Sequence, residues 1–217
     1  MYKKLKLLLL TLISIMMLVG CQQTQTENKI ETKTDMQSKD RINISYEKLS
    51  EKENSLLNVT GNNVVRYNIK NLPKDKKYKI ELFYEEYKKG EKIREDSITG
   101  ICNDDKSPKI ESEFLTLNYQ EDKIRFVFGE NEGYASGVYE IKDKFEYSAQ
   151  TYLCNDIDLE LGKETYIYQA SKGKIQGNQN YFDHIKLGEP IDKKSFDKIV
   201  KDSEGEVLVK LVYEEIK

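Results

Sequence analysis

The sequence predicts an all-β fold, an antiparallel β-sandwich, with an immunoglobulin-like arrangement as one form of it. Apolar and polar side chains alternate through short segments such as residues 78–85 and 124–128, as in half-buried strands. Clusters of Gly, Asn, Asp and Lys separate these segments, as turns do. Long helical patterns are missing after the first 20 residues, which favours a sandwich over a parallel α/β sheet.

Taken in order, the alternating segments predict seven to nine strands. They cover residues 64–69, 78–87, 92–102, 110–119, 124–128, 137–153, 158–169 and 207–213. The sequence Lys88-Lys89-Gly90-Glu91 is typical of a hairpin turn between the second and third segments.

One short helix is predicted near the C-terminus, over residues 193–201. Asp192 can cap its first turn, and Phe196, Ile199 and Val200 fall on one face. The stretch before it, residues 171–188, contains three glycines and is interpreted as a long surface loop.

The chain begins with the layout of a secretory signal. Lys3, Lys4 and Lys6 precede an apolar run over residues 7–19, which is short for a transmembrane helix. The run ends in Leu18-Val19-Gly20-Cys21, which resembles the lipobox of bacterial lipoproteins. The resemblance implies removal of residues 1–20, a diacylglyceryl group on Cys21, and residence on the extracytoplasmic face of the cell membrane. Two acyl chains suffice for stable anchoring.

The sequence divides into three parts after this assignment. Residues 1–20 form the signal peptide, residues 21–41 a disordered tether, and residues 42–217 a single β-rich domain. The tether is predicted because residues 22–41 contain only Ile30 and Met36 as apolar side chains, too few to offset the entropy of ordering. The remaining length suits one domain.

Charge excludes nucleic acid as a partner. The signal removes three lysines from 35 basic residues, so the mature chain has 32 basic against 38 acidic side chains, a net charge of about -6. The lysines are interspersed with acids and form no basic block that could follow a phosphate backbone. His184 is the single histidine, so a two-histidine metal site is excluded, and no catalytic residue is assigned.

Two cysteines remain once Cys21 is lipidated. Cys102 and Cys154 each end a predicted strand, on the oxidising side of the membrane, and a disulfide between them is predicted. Two separate buried thiols are the alternative. Each cysteine is followed by Asn-Asp, so a bridge would gather four carboxylates that could bind Ca²⁺, the one cofactor considered. The carboxylates belong to Asp104, Asp105, Asp156 and Asp158, and the alternative is that they simply form turns.

The sequence favours a non-enzymatic surface lipoprotein that binds or shields something at the cell envelope. Its partners would be membrane lipid, through Cys21, and an envelope or extracellular protein, peptide or glycan, contacted by loops at residues 103–108 and 171–190. Two alternatives stay open. One is an envelope hydrolase that uses paired carboxylates. The other is an immunity lipoprotein that intercepts a cationic toxin, which the acidic net charge would suit.

Overall fold

A computed structural model of the chain describes residues 41–74, 76–104, 112–129, 133–142, 146–172, 175–176, 179–180 and 184–216. The signal, the lipobox with Cys21, and nearly all of the predicted tether lie outside the described residues. Within the described residues, no helix is both long and apolar enough to cross a membrane.

Two antiparallel sheets form the fold, and this confirms the predicted β-sandwich. Sheet A has six strands in the order β7-β6-β5-β2-β1-β9 and sheet B has five in the order β4-β3-β13-β10-β8. The strands of sheet A are β1 (Arg41–Tyr46), β2 (Asn63–Lys70), β5 (Ser112–Tyr119), β6 (Lys123–Gly129), β7 (Tyr134–Glu140) and β9 (Ile157–Glu160). Those of sheet B are β3 (Tyr78–Lys88), β4 (Glu91–Asn103), β8 (Ala149–Tyr152), β10 (Glu164–Lys172) and β13 (Gly205–Glu215). A separate short pair consists of β11 (Ile175–Gln176) and β12 (Gln179–Asn180). Six plus five strands differ from the four plus three of an immunoglobulin constant domain.

The alternating side chains that predicted the strands fill the space between the sheets. In β2, Val65, Tyr67 and Ile69 are buried while their neighbours are only partly covered. The same alternation holds in β3 and β5, as expected for strands with one face on a core. Tyrosines supply much of the volume, because Tyr67, Tyr84 and Tyr213 are the largest fully buried side chains.

The predicted hairpin and the predicted C-terminal helix are both present. β3 and β4 are joined by Lys89 and Gly90, whose φ angles of 52° and 88° give the left-handed two-residue turn that such hairpins favour. The C-terminal helix, α2, is the second helix of the fold and spans Lys193–Asp202. Asp192 accepts a hydrogen bond from the Ser195 amide at its start. Val200 is buried, with Phe196 and Ile199 packed around it.

A second helix, α1 (Glu51–Val59), was not predicted from the sequence. Ser50 caps it, and Glu53 reaches back to the Ser50 amide, which completes a capping box. None of its residues is buried. Because apolar periodicity comes from burial, this exposed helix lacked the pattern by which helices are recognised.

The single strand predicted over residues 137–153 is wrong. β7 ends at Glu140 and β8 begins at Ala149 in the other sheet. The chain leaves sheet A at Ile141, whose side chain is buried and whose amide donates to the carbonyl of Asp122. Likewise, the loop predicted from residue 171 starts later, since β10 extends to Lys172.

The strand registers define two ends of the sandwich. At the Arg41 end, β1 begins, β2 finishes at Lys70, and Lys70 pairs with Ser112 at the start of β5. At the opposite, Tyr119 end, Asn63 pairs with Tyr119, and Tyr119 pairs with Ile124 across the β5–β6 turn. The eight residues of β2 separate the two ends by about 25 Å.

Candidate functional site

An open groove of about 620 Å³ lies at the Tyr119 end of the sandwich. Its volume is in the range of small-molecule sites. The groove is built by the end of α1 and the start of β2, by the β5–β6 turn, and by the residues around the start of β8. These segments supply Asn58, Gly61, Asn62, Asn63, Tyr119, Gln120, Glu121, Asp122, Tyr147 and Gln150.

Side-chain amides hold one wall of the groove in a fixed arrangement. The Oδ1 atom of Asn62 accepts hydrogen bonds from Nδ2 of Asn118, at 2.7 Å, and from Nε2 of Gln120, at 3.0 Å. Asn118 in turn accepts from the backbone amide of Asn63 at 3.2 Å. These contacts orient the amides before any ligand arrives, which reduces the entropy lost on binding.

Tyr119 lines the groove, and its hydroxyl is buried and has no partner among the described residues. Its ring stacks on Tyr168, with centroids 3.7 Å apart and planes 6° apart. Burial raises the pKa of Tyr119 well above its ordinary value, so the hydroxyl stays protonated. A buried hydroxyl without a partner costs about 1–3 kcal/mol.

The groove carries acidic charge. Glu121 and Asp122 line it, and none of the described residues in its lining is basic. Asp122 has a neighbouring cation, because the ammonium group of Lys123 lies 3.3 Å from its carboxylate. The lining therefore disfavours an anionic ligand and offers mainly neutral donors and acceptors.

A second polar group, the Lys210 cluster, lies among the strands of sheet B. It consists of Lys210, Glu85, Lys92, Glu95 and Glu164. The Lys210 ammonium contacts Glu85 at 2.7 Å, Glu164 at 2.7 Å and Glu95 at 3.1 Å. The side chains of Lys210 and Glu85 are 2% and 0% exposed.

Three members of the Lys210 cluster, Lys92, Glu95 and Lys210, have pKa values shifted in favour of their charged forms. The hydrogen bond from Lys92, assisted by Lys210, lowers the pKa of Glu95 to about 2. Burial lowers the pKa of Lys210, but its hydrogen bonds with Glu164 and Glu85 outweigh that effect and the pKa is raised. General acid catalysis needs a pKa near the working pH, and Glu95 has the opposite shift. The cluster is suited to holding four strands together.

Glu206 forms a third buried polar site, beside the end of α2. Its carboxylate accepts hydrogen bonds from Ser171 at 2.6 Å and from Gln169 at 3.0 Å. Burial raises its pKa, in spite of these hydrogen bonds. Gln169 also accepts from the amide of Ile185 at 2.8 Å, which fixes the backbone that leads to α2. This site supports the packing of that connection.

The two cysteines are free and exposed in the structure, so the predicted disulfide is not formed there. Cys102 lies in β4 and pairs with Lys79, whereas Cys154 lies between β8 and β9, beyond the opposite edge of sheet B. The disulfide was predicted because each cysteine ends a strand, but these strands, β4 and β8, are the two edge strands of sheet B. Sequence alone does not reveal strand order.

The calcium site stays a prediction, because Asp105 lies outside the described residues. Within the described part of the chain, no three His, Cys, Asp or Glu side chains are grouped to hold a metal ion. The carboxylate of Asp158, which the calcium prediction grouped with other carboxylates, lies 3.8 Å from the guanidinium of Arg41.

The sequence patterns did not predict the groove as a binding site. The predicted contact loops were residues 103–108, of which 105–108 lie outside the described residues, and residues 171–190, which are described only in part. A signal did exist, because Asn62-Asn63 and Asn118-Tyr119-Gln120 place amides beside predicted strands. Only the pairing of β2 with β5 brings the two segments together.

Fold and site together define an antiparallel β-sandwich protein with a polar groove at one end. A protein-family model described as the YgaN domain matches residues 43–195, which is more than half of the chain. The chain belongs to the YgaN domain family. The match runs from β1 into α2 and includes every residue that lines the groove. No curated protein and no solved structure matches the chain.

Proposed function

We propose that this chain is a lipid-anchored protein of the cell envelope that binds a ligand in the groove at its Tyr119 end without transforming it. The observation that carries the proposal is the groove itself, with its fixed amides. The lipobox resemblance of residues 18–21 supplies the location.

The position of the groove supports an outward-facing role. A tether from Cys21 would enter the sandwich at Arg41, where β1 begins. The groove lies at the other end of sheet A, about 25 Å farther along β2. An anchored domain with this geometry presents the groove away from the point where the tether enters.

The carboxylates of the Lys210 cluster support binding over hydrolysis. A hydrolase with paired carboxylates needs one of them protonated at the working pH. In the Lys210 cluster, ammonium groups contact Glu85, Glu95 and Glu164, and the pKa of Glu95 is lowered. The carboxylates of this cluster therefore face cations that join neighbouring strands of sheet B.

The proposal is tested by sedimentation of the detergent-solubilised full-length chain with detergent-washed envelope fragments from the cells that make the protein, because residual membrane would retain a lipid-anchored chain whether or not the groove binds. The full-length chain is compared with Asn58→Ala and Gln120→Leu, which remove amides from the groove. Ser55→Ala is the matched control, because Ser55 is exposed on α1 and outside the groove lining. We expect both groove variants to sediment less than the wild type and the control. Equal sedimentation of all four proteins would reject the groove as the binding site.

A further inference from the structure

We propose that the ligand of the groove is a neutral saccharide chain, an inference that rests on the proposed function. Five of the ten lining residues are Asn or Gln. An amide side chain offers both a donor and an acceptor without a charge, and a hydroxyl group does the same. A surface rich in neutral amides therefore complements a surface rich in neutral hydroxyls.

The aromatic residues of the groove add a second feature that saccharides use. Tyr147 lines it and is only half-buried, whereas the ring of Tyr119 is buried and stacked on Tyr168. A tyrosine ring is a flat apolar face with a polar tip. The C–H face of a sugar ring can lie on such a face while its hydroxyl groups reach the amides around it.

Charge decides between a neutral ligand and a charged one. Glu121 and Asp122 would repel an anionic polymer, and no described lining residue is basic. A cationic peptide would bind most tightly to carboxylates that have no cationic side chain beside them. Asp122 is 3.3 Å from the Lys123 ammonium, so its charge is partly compensated. Eight of the ten lining residues are uncharged, and they favour the saccharide.

The test is calorimetric titration of the detergent-solubilised full-length chain with three β-linked tetrasaccharides, of N-acetylglucosamine, glucose and glucosamine. The first two are neutral and the third is cationic. We expect at least one neutral tetrasaccharide to bind, and its affinity to change little from about 50 mM to about 500 mM salt. Asn58→Ala and Gln120→Leu should each weaken binding by about fivefold to tenfold, as loss of one hydrogen bond does. Ser55→Ala is again the control.

Each other outcome has a defined meaning. If neither neutral tetrasaccharide binds, the saccharide inference is overturned. It is also overturned if the glucosamine tetrasaccharide, or a lysine-rich peptide, binds more tightly and weakens with salt, because the ligand would then be a cation. The proposed function survives either result as long as envelope fragments still bind in a groove-dependent manner. Thermal unfolding midpoints of the variants show that each is folded.

Discussion

The Lys210 ammonium lies 2.7 Å from Oε1 of Glu85, and the two residues occupy adjacent strands of sheet B. Glu85 also accepts from the hydroxyls of Tyr87 and Tyr166, at 3.1 and 3.3 Å. The rings of those two tyrosines both pack on Phe196 of α2, with centroids 5.6 Å apart in each case. The Lys210–Glu85 ion pair between β13 and β3 is thus connected, through Tyr87 and Tyr166, to Phe196 of helix α2.

Removing one member of this pair should destabilise the protein strongly. Lys210→Met removes the cation that Glu85, Glu95 and Glu164 share and leaves the buried Glu85 with the partly exposed Lys92, at 2.6 Å. We expect the free energy of unfolding to fall by about 3 kcal/mol, the lower end of the cost of breaking a buried ion pair. Urea unfolding followed by circular dichroism measures the change. Lys163→Met is the control, because Lys163 pairs with Glu160 at the surface and should cost at most about 1 kcal/mol.

The double variant Lys210→Met/Glu85→Leu tests whether the cost comes from loss of the Lys210–Glu85 pairing. If it does, the double variant is less destabilised than the sum of the two single variants. Purely additive costs would contradict the coupling.

Acid should weaken the Lys210 cluster through Glu95. Hydrogen bonds from Lys92 and Lys210 lower the pKa of Glu95 from 4.5 to about 2. A lowered pKa in the folded state means that the stabilisation is complete above pH 4.5 and is lost as the pH falls towards 2. The unfolding free energy of the wild type should therefore fall across that window.

Glu95→Gln is the variant that isolates this effect. It should show a smaller loss of stability over the same pH window, because its side chain does not titrate. Urea midpoints at several pH values between the two limits provide the comparison. Identical pH profiles for wild type and variant would show that Glu95 does not contribute.

Alternation along the chain was enough to predict the sandwich and the hairpin at Lys89-Gly90, because both depend on local sequence. The break between β7 and β8 was not predictable in that way. Residues 137–153 keep an alternating pattern, but the chain changes sheets after Ile141. Where a strand changes sheets depends on which partners are available, and these are distant in sequence.

The candidate site was harder to predict than the fold for the same reason. Asn62 and Gln120 are 58 residues apart, and their hydrogen bond exists only because β2 pairs with β5. The helix α1, which supplies Asn58, could have been found from Ser50 and Glu53, the two ends of a capping box. Its apolar residues Leu56 and Val59 are exposed, so periodicity gave no help.

Tyr139 joins the two sheets at the β4 and β7 edges. Its hydroxyl donates to Asp96 at 2.6 Å, and the guanidinium of Arg94 lies 5.0 Å from its ring centre. Tyr139→Phe should lower the free energy of unfolding by about 1 kcal/mol, the net value of one hydrogen bond. The matched control is Tyr134→Phe in the same strand, because Tyr134 is exposed. Equal midpoints for both variants in urea would mean that the Asp96 contact is not stabilising.

Glu206 should make the protein less stable as the pH rises. Burial raises its pKa above 4.5, so the folded state holds a proton that the unfolded state has already released. For a raised pKa, the stability is fully present below the unfolded value and is lost as the pH rises through the folded value. Glu206→Gln keeps the shape without the charge and should gain stability over the wild type at about pH 8, with a smaller gain at about pH 4. A constant difference between the two proteins at both pH values would contradict the assignment.

Cys21 should determine where the protein resides. In the proposed lipoprotein, its thiol is the only group that receives the diacylglyceryl chains, and two acyl chains are what stable anchoring requires. We expect Cys21→Ala to abolish incorporation of labelled palmitate and to prevent processing at Gly20 or release the protein from the membrane. Cys102→Ala is the control, because Cys102 lies in β4 of the folded domain and should leave labelling unchanged. Palmitate incorporation that persists in Cys21→Ala would refute the anchor.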